Sequence, residues 1–469
     1  MTSRRLVAGV DSSTQSVKVV VCDSETGEVV RSGRAPHPDG TEVSAAAWLA
    51  AYREATADPS LLDGVEAISV GGQQHGMVTL DADGELVRDA LLWNDNRSAQ
   101  AARDLIADLG GAQAWADAVG AVPVASFTAS KIRWLARHEP ENAARVHRVV
   151  LPHDYLTWEI GGRSFDPVTD RGDASGTAYF DAVANSYRDD LVELAFGRGL
   201  ELPRVAAPDE VVGESPEGMA IGPGTGDNAA SMLGMVVPDR TALISLGTSG
   251  VACLRSDRQT HDASGVVAGF ADATGAFLPL VCTLNGARNL VAMAKALNVS
   301  LDEFSALAVS APAGSDGLVF LPYLEGERTP PLPDARGELR GATLSNLTAA
   351  NLARATIEGV LWSLAYGVQV LREQGSPVDR VMLTGGAAQS PAVRTIAAAV
   401  FGVPVLATDP YESVAVGAAR QAAWVLTGSL PDWAAPVSGT YEPQPGEAEE
   451  AVALDARYRA ALAEVAARS

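Results

Sequence analysis

One aspartate stands where a glycine-rich loop meets an apolar segment. Residues 222–226 read Gly-Pro-Gly-Thr-Gly, Asp227 follows, and the stretch from Ala229 to Val236 is apolar and able to form a helix. Small loop residues leave space for a ligand, and an aspartate beside that space could accept the proton of a hydroxyl group that attacks phosphorus. An aspartate before an apolar helix is also a common helix cap. Taken alone, this motif favours the cap over a general base.

Two turns rich in hydroxyl groups could hold a polyphosphate. The first, Asp11–Ser16, offers a carboxylate for a hydrated cation beside hydroxyl and N–H donors for phosphate oxygens. The second, Gly247–Gly250, places Thr248 and Ser249 between flexible glycines. Such residues also populate ordinary hairpin turns. The sequence has neither a G-x-x-x-x-G-K-[ST] loop nor a G-x-G-x-x-G fingerprint, so a nucleotide must be held by other devices, such as these turns.

The elements that must position these residues are of mixed α and β type. β-rich runs flank both turns, at 6–10 and 17–22 and again at 242–246 and 251–254, which predicts two similar hairpins. The repetition suggests a duplicated architecture with a ligand held between two halves. Further strands are predicted near 27–32, 65–70 and 77–80, and helices over 99–109, 132–138 and 348–374, with Gly375 ending the last.

Composition limits the classes of partner. The chain has 469 residues, of which 47% are hydrophobic, enough for two to four domains. Its 35 basic and 58 acidic residues give a net charge of −23, which disfavours nucleic acid and anionic lipid as partners. No apolar run is long enough for a membrane span and no secretory segment is recognisable, so we expect a cytoplasmic protein. Cys22, Cys253 and Cys282 are widely spaced, which favours reduced core thiols.

Several motifs, taken together and in order, resemble those of the FGGY carbohydrate kinase family. The resemblance runs from about Leu6 to Thr427. Its motifs are Gly9-Val10-Asp11-Ser12-Ser13-Thr14, Gly72-Gln73-Gln74-His75-Gly76-Met77, Leu92-Trp93-Asn94-Asp95, Ser126-Phe127-Thr128-Ala129-Ser130-Lys131-Ile132-Arg133-Trp134-Leu135, Gly226-Asp227-Asn228-Ala229-Ala230, Ser245-Leu246-Gly247-Thr248-Ser249-Gly250 and Phe320-Leu321-Pro322-Tyr323-Leu324-Glu325-Gly326-Glu327-Arg328-Thr329-Pro330. One such motif is weak evidence, but the ordered set is specific.

The family resemblance implies an α/β fold of two actin-like, ribonuclease-H-like domains with a deep interdomain cleft. Residues 1–236 are then the sugar-binding domain and residues 237–428 the ATP-binding domain. Residues 429–469, with Pro431, Pro436, Pro443 and Pro445 before an acidic segment, are expected to form a linker and a terminal helix. ATP and Mg²⁺ are the implied cofactors, and a homodimer is expected at family level only.

The resemblance also assigns roles to residues. Asp227 becomes the catalytic base, and Asp11 is expected at the metal. The residues expected at the nucleotide are Asp11, Ser13, Thr14, Gly247, Thr248, Ser249, Gly385, Gly386 and Gln389.

The acceptor expected from the resemblance is a ketopentose. Residues 73–76, Gln-Gln-His-Gly, most resemble the version found in family members that phosphorylate D-xylulose to D-xylulose 5-phosphate. Hydrogen-bonding side chains and a tryptophan face suit a sugar. The residues expected at the sugar are Gln74, His75, Trp93, Asn94, Asp95, Asp173 and Asn228. His75 and Asp173 also have ordinary structural interpretations, as a buried histidine and a turn residue.

Two alternatives stay open. The first is a family member acting on ribulose, fuculose, gluconate or glycerol. The second is a non-catalytic sugar sensor, against which Asp227 argues because a sensor needs no base. Two departures from the family pattern, Leu344-Ser345-Asn346-Leu347 within the expected second signature and Gly385-Gly386-Ala387 near the expected adenine site, bear on nucleotide preference.

Overall fold

Two units divide the chain. The structure is a computed structural model that describes residues 4–444 and 447–468. One unit consists of Met1–Val236, Ser256–Leu278 and Glu412–Ala435, and the other of Val237–Arg255, Pro279–Tyr411 and Pro436–Ser469. Two segments beyond residue 237 therefore belong to the first unit. The boundary at 236/237 expected from the sequence does not include them.

The elements up to Met235 are fifteen strands and nine helices in the described residues. The strands are β1 Leu6–Ser12, β2 Ser16–Asp23, β3 Val29–Pro36, β4 Glu42–Val43, β5 Val65–Gly72, β6 Val78–Leu80, β7 Ala90–Leu91, β8 Arg148–Val150, β9 Val168–Thr169, β10 Phe180–Asp181, β11 Ser186–Tyr187, β12 Arg204–Val205, β13 Gly213–Glu214, β14 Ala220–Ile221 and β15 Thr225–Gly226. The helices are α1 Ala46–Ala55, α2 Ala99–Asp108, α3 Ala112–Val119, α4 Thr128–His138, α5 Pro140–Arg145, α6 Pro152–Ile160, α7 Arg171–Ser175, α8 Asp189–Phe196 and α9 Asp227–Met235.

The remaining elements follow the same mixed pattern. The strands are β16 Thr241–Leu246, β17 Gly250–Cys253, β18 Ala268–Ala271, β19 Phe277–Thr283, β20 Val319–Leu321, β21 Glu338–Arg340, β22 Arg380–Thr384, β23 Val405–Thr408 and β24 Val437–Tyr441. The helices are α10 Ala287–Leu297, α11 Leu301–Ser310, α12 Ala349–Glu373, α13 Pro391–Phe401, α14 Ser413–Thr427 and α15 Glu447–Ala466, with short 3₁₀ helices at Ala313–Gly317 and Gly386–Gln389.

The central sheet of the first unit has the order β13-β14-β5-β1-β2-β3, and β15 also pairs with β5. β1 and β2 form an antiparallel hairpin, while β5 runs parallel to β1. Residues 7–12 of β1 are all buried, as expected for a strand covered on both faces. The carboxyl ends of β1, β5 and β15 therefore lie at one edge of the sheet, where the loops that follow them can form a site.

Helix α14 packs against this sheet at glycines. A Cβ atom at Gly9 would lie 1.9 Å from the carbonyl oxygen of Ala415, so only glycine allows the strand and the helix this close approach. Helix α9 crosses α14 at another such contact, where a Cβ at Gly417 would lie 1.8 Å from the carbonyl oxygen of Ala230. These contacts fix α9, and with it Asp227, on the first unit.

The second unit has a related sheet in which β19, β17, β16, β22, β23 and β24 are consecutive neighbours. β16 and β17 form a hairpin closed by the Leu246↔Gly250 pair, and β22 runs parallel to β16. The arrangement repeats that of β1, β2 and β5. The duplicated hairpins predicted from the sequence are confirmed.

Locally encoded elements match their predictions closely. The helix predicted over 348–374 is α12, with Thr348 as a side-chain N-cap and Gly375 at φ +87° just beyond its end.

Cys22 and Cys253 are buried, as expected for core thiols, whereas Cys282 is half-buried. No helix within the described ranges is long and apolar enough to cross a membrane.

The proline-rich tail contains more structure than the linker that its composition predicted. Val437–Tyr441 pairs antiparallel with β23 and extends the second sheet. Tyr458 of α15 is buried and its hydroxyl lies 2.8 Å from that of Tyr323, so this part of the terminal helix is not a surface feature. Pro445 lies outside the described residues.

Candidate active site

Asp227 is the first residue of α9, and Gly226 holds the N-cap position with φ −64° and ψ 152°. The backbone amides of Asp227 and Asn228 nevertheless interact with the Asp227 carboxylate and favour its charged form. Asp227 therefore lies one position beyond the cap that the sequence favoured, with a half-buried carboxylate at the positive end of the helix.

The surroundings of Asp227 suit a proton acceptor. Burial, together with the nearby carboxylates of Asp11 and Asp173, raises the pKa of Asp227 to about 7. A group with this pKa is substantially deprotonated at neutral pH and still basic enough to accept a proton from a reacting hydroxyl group.

Asn228 joins Asp227 to the loop that follows β5. Its Nδ2 donates to Asp227 Oδ1 at 2.9 Å and to Gln74 Oε1 at 2.8 Å. A Cβ atom at Gly226 would lie 2.7 Å from Gln74 Nε2, so glycine is needed for this approach. The structure thus brings three of the predicted site residues together.

His75 is held in one orientation. Its Nδ1 lies 2.8 Å from the carbonyl oxygen of Gly176, which makes Nδ1 the donor because a carbonyl oxygen only accepts. The ring packs against Phe127 and Phe270, with centroids at 4.8 and 5.4 Å. The backbone has φ +68°, a conformation that costs energy for a non-glycine residue and occurs often at functional sites.

The loop after β7 connects to the first turn through Trp93. Trp93 is 39% exposed, and its Nε1 donates to Thr14 Oγ1 at 2.8 Å. This contact places an indole face beside the turn, and one of the hydroxyl groups predicted for phosphate already has a partner. Asn94 Oδ1 is buried without a hydrogen-bond partner among the described residues.

Asp95 has a structural role that was not predicted from the sequence. Its Oδ1 accepts from the backbone and the Nε of Arg97, and its Oδ2 accepts from Thr41 at 2.8 Å. Burial alone would raise the pKa of Asp95, but these hydrogen bonds outweigh it and hold the pKa below its usual range. The buried Lys131 supports the same loop by donating to the carbonyl oxygens of Ala125 at 3.0 Å and Asp95 at 3.4 Å.

The first turn concentrates charge around Asp11. Asp11 is buried and accepts a hydrogen bond from the Ser13 hydroxyl group, and Lys18 Nζ lies 3.7 Å from its Oδ2. Burial raises the pKa of Asp11 more than these two partners lower it. Lys18, which sequence reasoning missed, also pairs with Glu412 at 2.5 Å.

A bound Mg²⁺ fits Asp11 only as an ion that keeps most of its water. Among the residues that the structure describes, no group of three or more His, Cys, Asp or Glu side chains is arranged to hold a metal. Mg²⁺ commonly binds through one or two carboxylates, waters and substrate phosphates, so a single buried carboxylate is compatible with it.

The second turn lacks charged side chains and is held by backbone. The N–H of Gly286 donates to the carbonyl oxygen of Thr248 at 3.1 Å, and that of Ala287 donates to Gly247 at 2.8 Å. A Cβ at Gly286 would lie 2.6 Å from the Gly247 oxygen, so the first residues of α10 touch the turn directly. Thr248 is exposed, and Gly247 and Ser249 are half-buried.

Glu327 fixes the segment that supports the second turn. It is buried, and its Oε1 accepts from the N–H of Leu284 at 2.6 Å and of Arg328 at 2.7 Å. Its Oε2 accepts from Asn285 Nδ2 at 2.9 Å. The carboxylate thereby orders the residues directly before Gly286.

The predicted nucleoside residues follow β22. Gly385 has φ +97°, and a Cβ there would lie 2.7 Å from the carbonyl oxygen of Leu246, so this position requires glycine. Gly386 begins a 3₁₀ helix and is exposed. The side-chain amide of Gln389 donates to Thr408 at 3.0 Å and accepts from Arg394 at 2.8 Å, so it supports its own unit.

The segment that departs from the family's second signature is organised by Asn346. Its Oδ1 accepts from the N–H of Thr343 at 2.8 Å, and its Nδ2 donates to the carbonyl oxygens of Gly341 at 2.9 Å and Asp316 at 3.0 Å. The asparagine that departs from the family pattern therefore stabilises this loop through its side-chain hydrogen bonds. Leu344, two residues earlier, is exposed.

Asp173 is fully buried behind Asp227 rather than exposed to a ligand. Its Oδ2 lies 2.7 Å from Nδ1 of His153, which is itself fully buried. Asp154 and Asp170 also lie near this imidazole. Sequence reasoning missed His153, because no spacing rule pairs residues that lie this far apart along the chain.

Each unit is built on a mixed sheet that begins with a hairpin, and this is the actin-like arrangement of α and β elements. The model of the FGGY family of carbohydrate kinases matches with its N-terminal domain at residues 6–232 and with its C-terminal domain at residues 242–426. The chain therefore belongs to the FGGY family of carbohydrate kinases, and the resemblance drawn from its motifs is confirmed. As a carbohydrate kinase, it uses ATP as the phosphoryl donor.

Three similar proteins share one description. A xylulose kinase from Streptomyces coelicolor is 44% identical over 438 residues, which are 90% of this chain and 88% of that protein. A xylulose kinase from Streptomyces rubiginosus is 42% identical over 464 residues, 96% of this chain and 93% of that protein. The crystal structure of xylulose kinase from Bifidobacterium adolescentis matches with a TM-score of 0.90 and 42% identity, covering 98% of this chain and 99% of that one.

Proposed function

We propose that this protein transfers the γ-phosphoryl group of ATP to D-xylulose and forms D-xylulose 5-phosphate. The observation that carries the proposal is Asp227, a carboxylate with a pKa raised to about 7 that Asn228 ties to Gln74 of the loop expected at the sugar. The identity to two xylulose kinases over 90% and 96% of the chain supports the choice of sugar.

Asp227 acts as the general base in this proposal. The C5 hydroxyl group donates a hydrogen bond to the Asp227 carboxylate, its oxygen attacks the γ-phosphorus, and the bond from that phosphorus to the β–γ bridging oxygen breaks. The hydroxyl proton passes to Asp227, and ADP leaves with the electron pair of the broken bond. Proton transfer of this kind contributes about 10² to 10⁴-fold, and positioning and charge stabilisation supply most of the remainder.

In this proposal the side chains expected at the sugar have two roles. Gln74, His75, Trp93, Asn94 and Asn228 bind the sugar directly in this proposal, through hydrogen bonds and through the indole face. Asp95 and Asp173 support these groups, because their carboxylates are buried and engaged by Arg97 and Thr41 and by His153, respectively.

Each of the two turns supplies donors that suit phosphate oxygens. Ser13 and Thr14 of the first turn and Gly247, Thr248 and Ser249 of the second supply donors, while Gly385, Gly386 and Gln389 form the nucleoside side. Asp11 would hold Mg²⁺ through water or directly, and the ion would supply charge neutralisation for the transferring group. Lys18, 3.7 Å from Asp11, adds a positive charge on the same turn.

A coupled ADP-release assay across D-xylulose, D-ribulose, L-fuculose, gluconate and glycerol tests the proposal. We expect D-xylulose to give the highest kcat/KM, and the Asp227→Asn variant to lose sugar-dependent ADP release. Preference for another acceptor would assign a different family activity. ADP release that no sugar stimulates would favour a sensor and overturn the proposal.

A further inference from the structure

A buried histidine lies among three carboxylates behind Asp227. His153 on α6 and Asp154, Asp170 and Asp173 are each at most 4% exposed at the side chain. His153 Nδ1 lies 2.7 Å from Asp173 Oδ2, and its Nε2 lies 3.1 Å from Asp154 Oδ1 and 3.9 Å from Asp170 Oδ1. His153 Nε2 has no hydrogen-bond partner among the described residues, but negative carboxylates close to both ring nitrogens favour the imidazolium form through their charge.

The ionisation of this cluster agrees with that geometry. Burial lowers the pKa of His153, but the neighbouring carboxylates, Asp154 foremost, outweigh it and raise the pKa to about 9. Burial also raises the pKa of Asp154 to about 7. The other charged or titratable groups that interact with the cluster are Tyr179, Tyr187, Arg171 and Asp227.

His153 also lies close to the two strand ends that lead to the proposed sugar site. A Cβ atom at Gly72, the last residue of β5, would lie 2.8 Å from His153 Cβ. A Cβ at Gly224, just before β15, would lie 2.6 Å from His153 Cδ2. Gln74 follows the first of these glycines and Asp227 follows the second, so the Cβ of His153 packs at the start of one loop and its ring at the start of the other.

Asp170 connects the His153 cluster to Thr225, which precedes Asp227 by two residues. Its carboxylate accepts from the amides of Gly172 and Asp173, each at 2.8 Å, and caps α7. Its Oδ2 also accepts from Thr225 Oγ1 at 2.7 Å. Thr225 belongs to β15, two residues before Asp227, so a hydrogen bond connects the cluster to the strand that leads to the base, in addition to the charge of Asp173.

We propose that His153, as an imidazolium, is a positioning residue for phosphoryl transfer: it holds the buried carboxylates around it in place and neutralises their charge near Asp227. The inference rests on the proposed role of Asp227. Without the positive charge, Asp173 and its neighbours would disfavour the ionised form of Asp227 more strongly, because like charges at short range oppose ionisation.

The test compares pH profiles of kcat for the wild-type enzyme and the His153→Gln variant with saturating MgATP and D-xylulose. Because Asp227 must be deprotonated to act, loss of the imidazolium should move the acidic midpoint upward by about one pH unit. Activity should then fall about tenfold below the midpoint and recover at high pH, with the KM for ATP unchanged. A uniform loss at every pH, with an unmoved midpoint, would overturn the inference.

His138→Gln is the matched control, because His138 is exposed on α4 and its substitution should leave the profile unchanged. Asp227→Asn separates the two hypotheses. If that variant keeps full activity, the role of Asp227 fails; if it is inactive while His153→Gln has an unmoved midpoint, only the inference about His153 fails.

A second measurement does not depend on folding of the variant. The protein has 6 histidines, and ¹³C-labelled histidine gives an NMR titration of all of them in the wild-type enzyme. We expect one imidazole to keep the chemical shift of the charged form at pH 8, well above the ordinary histidine pKa of about 6.5. If every histidine is neutral at pH 8, the imidazolium is absent and the proposal is wrong.

Discussion

The two hairpin turns of this protein have the same strand frame and opposite chemistry. The β1–β2 turn contains the buried Asp11 with Lys18 at 3.7 Å, and it belongs to the unit that holds Asp227 and the His153 cluster. The β16–β17 turn has no ionisable side chain and depends on backbone contacts with the first residues of α10. The same hairpin arrangement thus has charged groups at its turn in the first unit, and amide and hydroxyl donors at its turn in the second.

This difference assigns separate tasks to the turns. Carboxylates and a lysine can organise a cation and respond to protons, whereas a neutral turn binds phosphate oxygens with little dependence on pH. We therefore expect substitutions at the first turn and around Asp227 to change kcat and its pH dependence. Substitutions at the second turn should change the KM for ATP.

Among substitutions in the two turns, the largest effect is expected at Asp11. Asp11→Asn removes the charge that Mg²⁺ requires and should lower kcat about 10² to 10³-fold, the range seen when one electrostatic contact to a transition state is lost. Steady-state kinetics at several Mg²⁺ concentrations provides the measurement. Ser12→Ala, at the neighbouring buried position, is the control; equal losses in both variants would show that the turn responds to packing and not to this charge.

The second turn should respond through ATP. Gly286→Ala places a methyl group 2.6 Å from the Gly247 oxygen, so the turn must shift, and the KM for ATP should rise about tenfold or more. Gly275→Ala is the control for adding a methyl group, since nothing lies within 4 Å of a Cβ there, although its φ of +100° carries a backbone cost. A rise in the KM for D-xylulose with no change for ATP would reverse the assignment of the two turns.

Glu327→Gln should have a similar but smaller effect on the KM for ATP. The carboxylate accepts from Leu284, Arg328 and Asn285, and an amide NH₂ cannot accept in their place. Loss of one such hydrogen bond corresponds to roughly a tenfold change at most. Kinetics with ATP varied at fixed sugar measures it, and an unchanged KM for ATP would show that this segment does not position the turn.

The pH dependence of kcat should differ from that of the KM for ATP. With the pKa of Asp227 raised to about 7, kcat should rise with pH through the neutral range and level off above it, because only the deprotonated carboxylate accepts the proton. The KM for ATP should change little over the same range. A kcat that is constant from pH 5.5 to 8 would contradict the assignment of a base with this pKa.

The smallest effect is expected at the contact between Trp93 and Thr14. Trp93→Phe keeps an aromatic face and removes the Nε1 donor that lies 2.8 Å from Thr14 Oγ1. A neutral hydrogen bond of this kind contributes about 1 kcal/mol, so kcat/KM should fall only severalfold. Trp93→Ala should lose more, because it also removes the face; equal losses would show that the face contributes nothing to sugar binding.

Much of the fold was predictable because its signals are local. β-rich runs on both sides of a polar turn identified both hairpins, and Gly375 marked the end of α12. In contrast, α14 returns to the first unit through contacts of Ala415 with Gly9, and no local pattern announces a close approach between residues that far apart. The same holds for β24, whose strand follows a stretch that its prolines marked as a linker.

The site was predictable where residues are adjacent in the sequence. Asp227 and Asn228 stand side by side, and their motif led to the Gln74 loop through the family resemblance. His153 was not predictable, since its contact with Asp173 arises only from packing of α6 against the region of α7. Asp95 shows the reverse case: its pairing with Arg97, two residues away, is a local signal for a structural carboxylate that the sequence analysis did not use.

The most direct test of the account is the sugar-dependent turnover of Asp227→Asn. Asparagine keeps the size of the side chain and removes the base, so D-xylulose should still bind while its phosphorylation falls by at least about 10²-fold. Calorimetric titration with D-xylulose and coupled ADP release measure the two quantities on one preparation. Retained binding with lost turnover is the predicted result, and turnover within tenfold of the wild-type rate would contradict the role of Asp227 as the base.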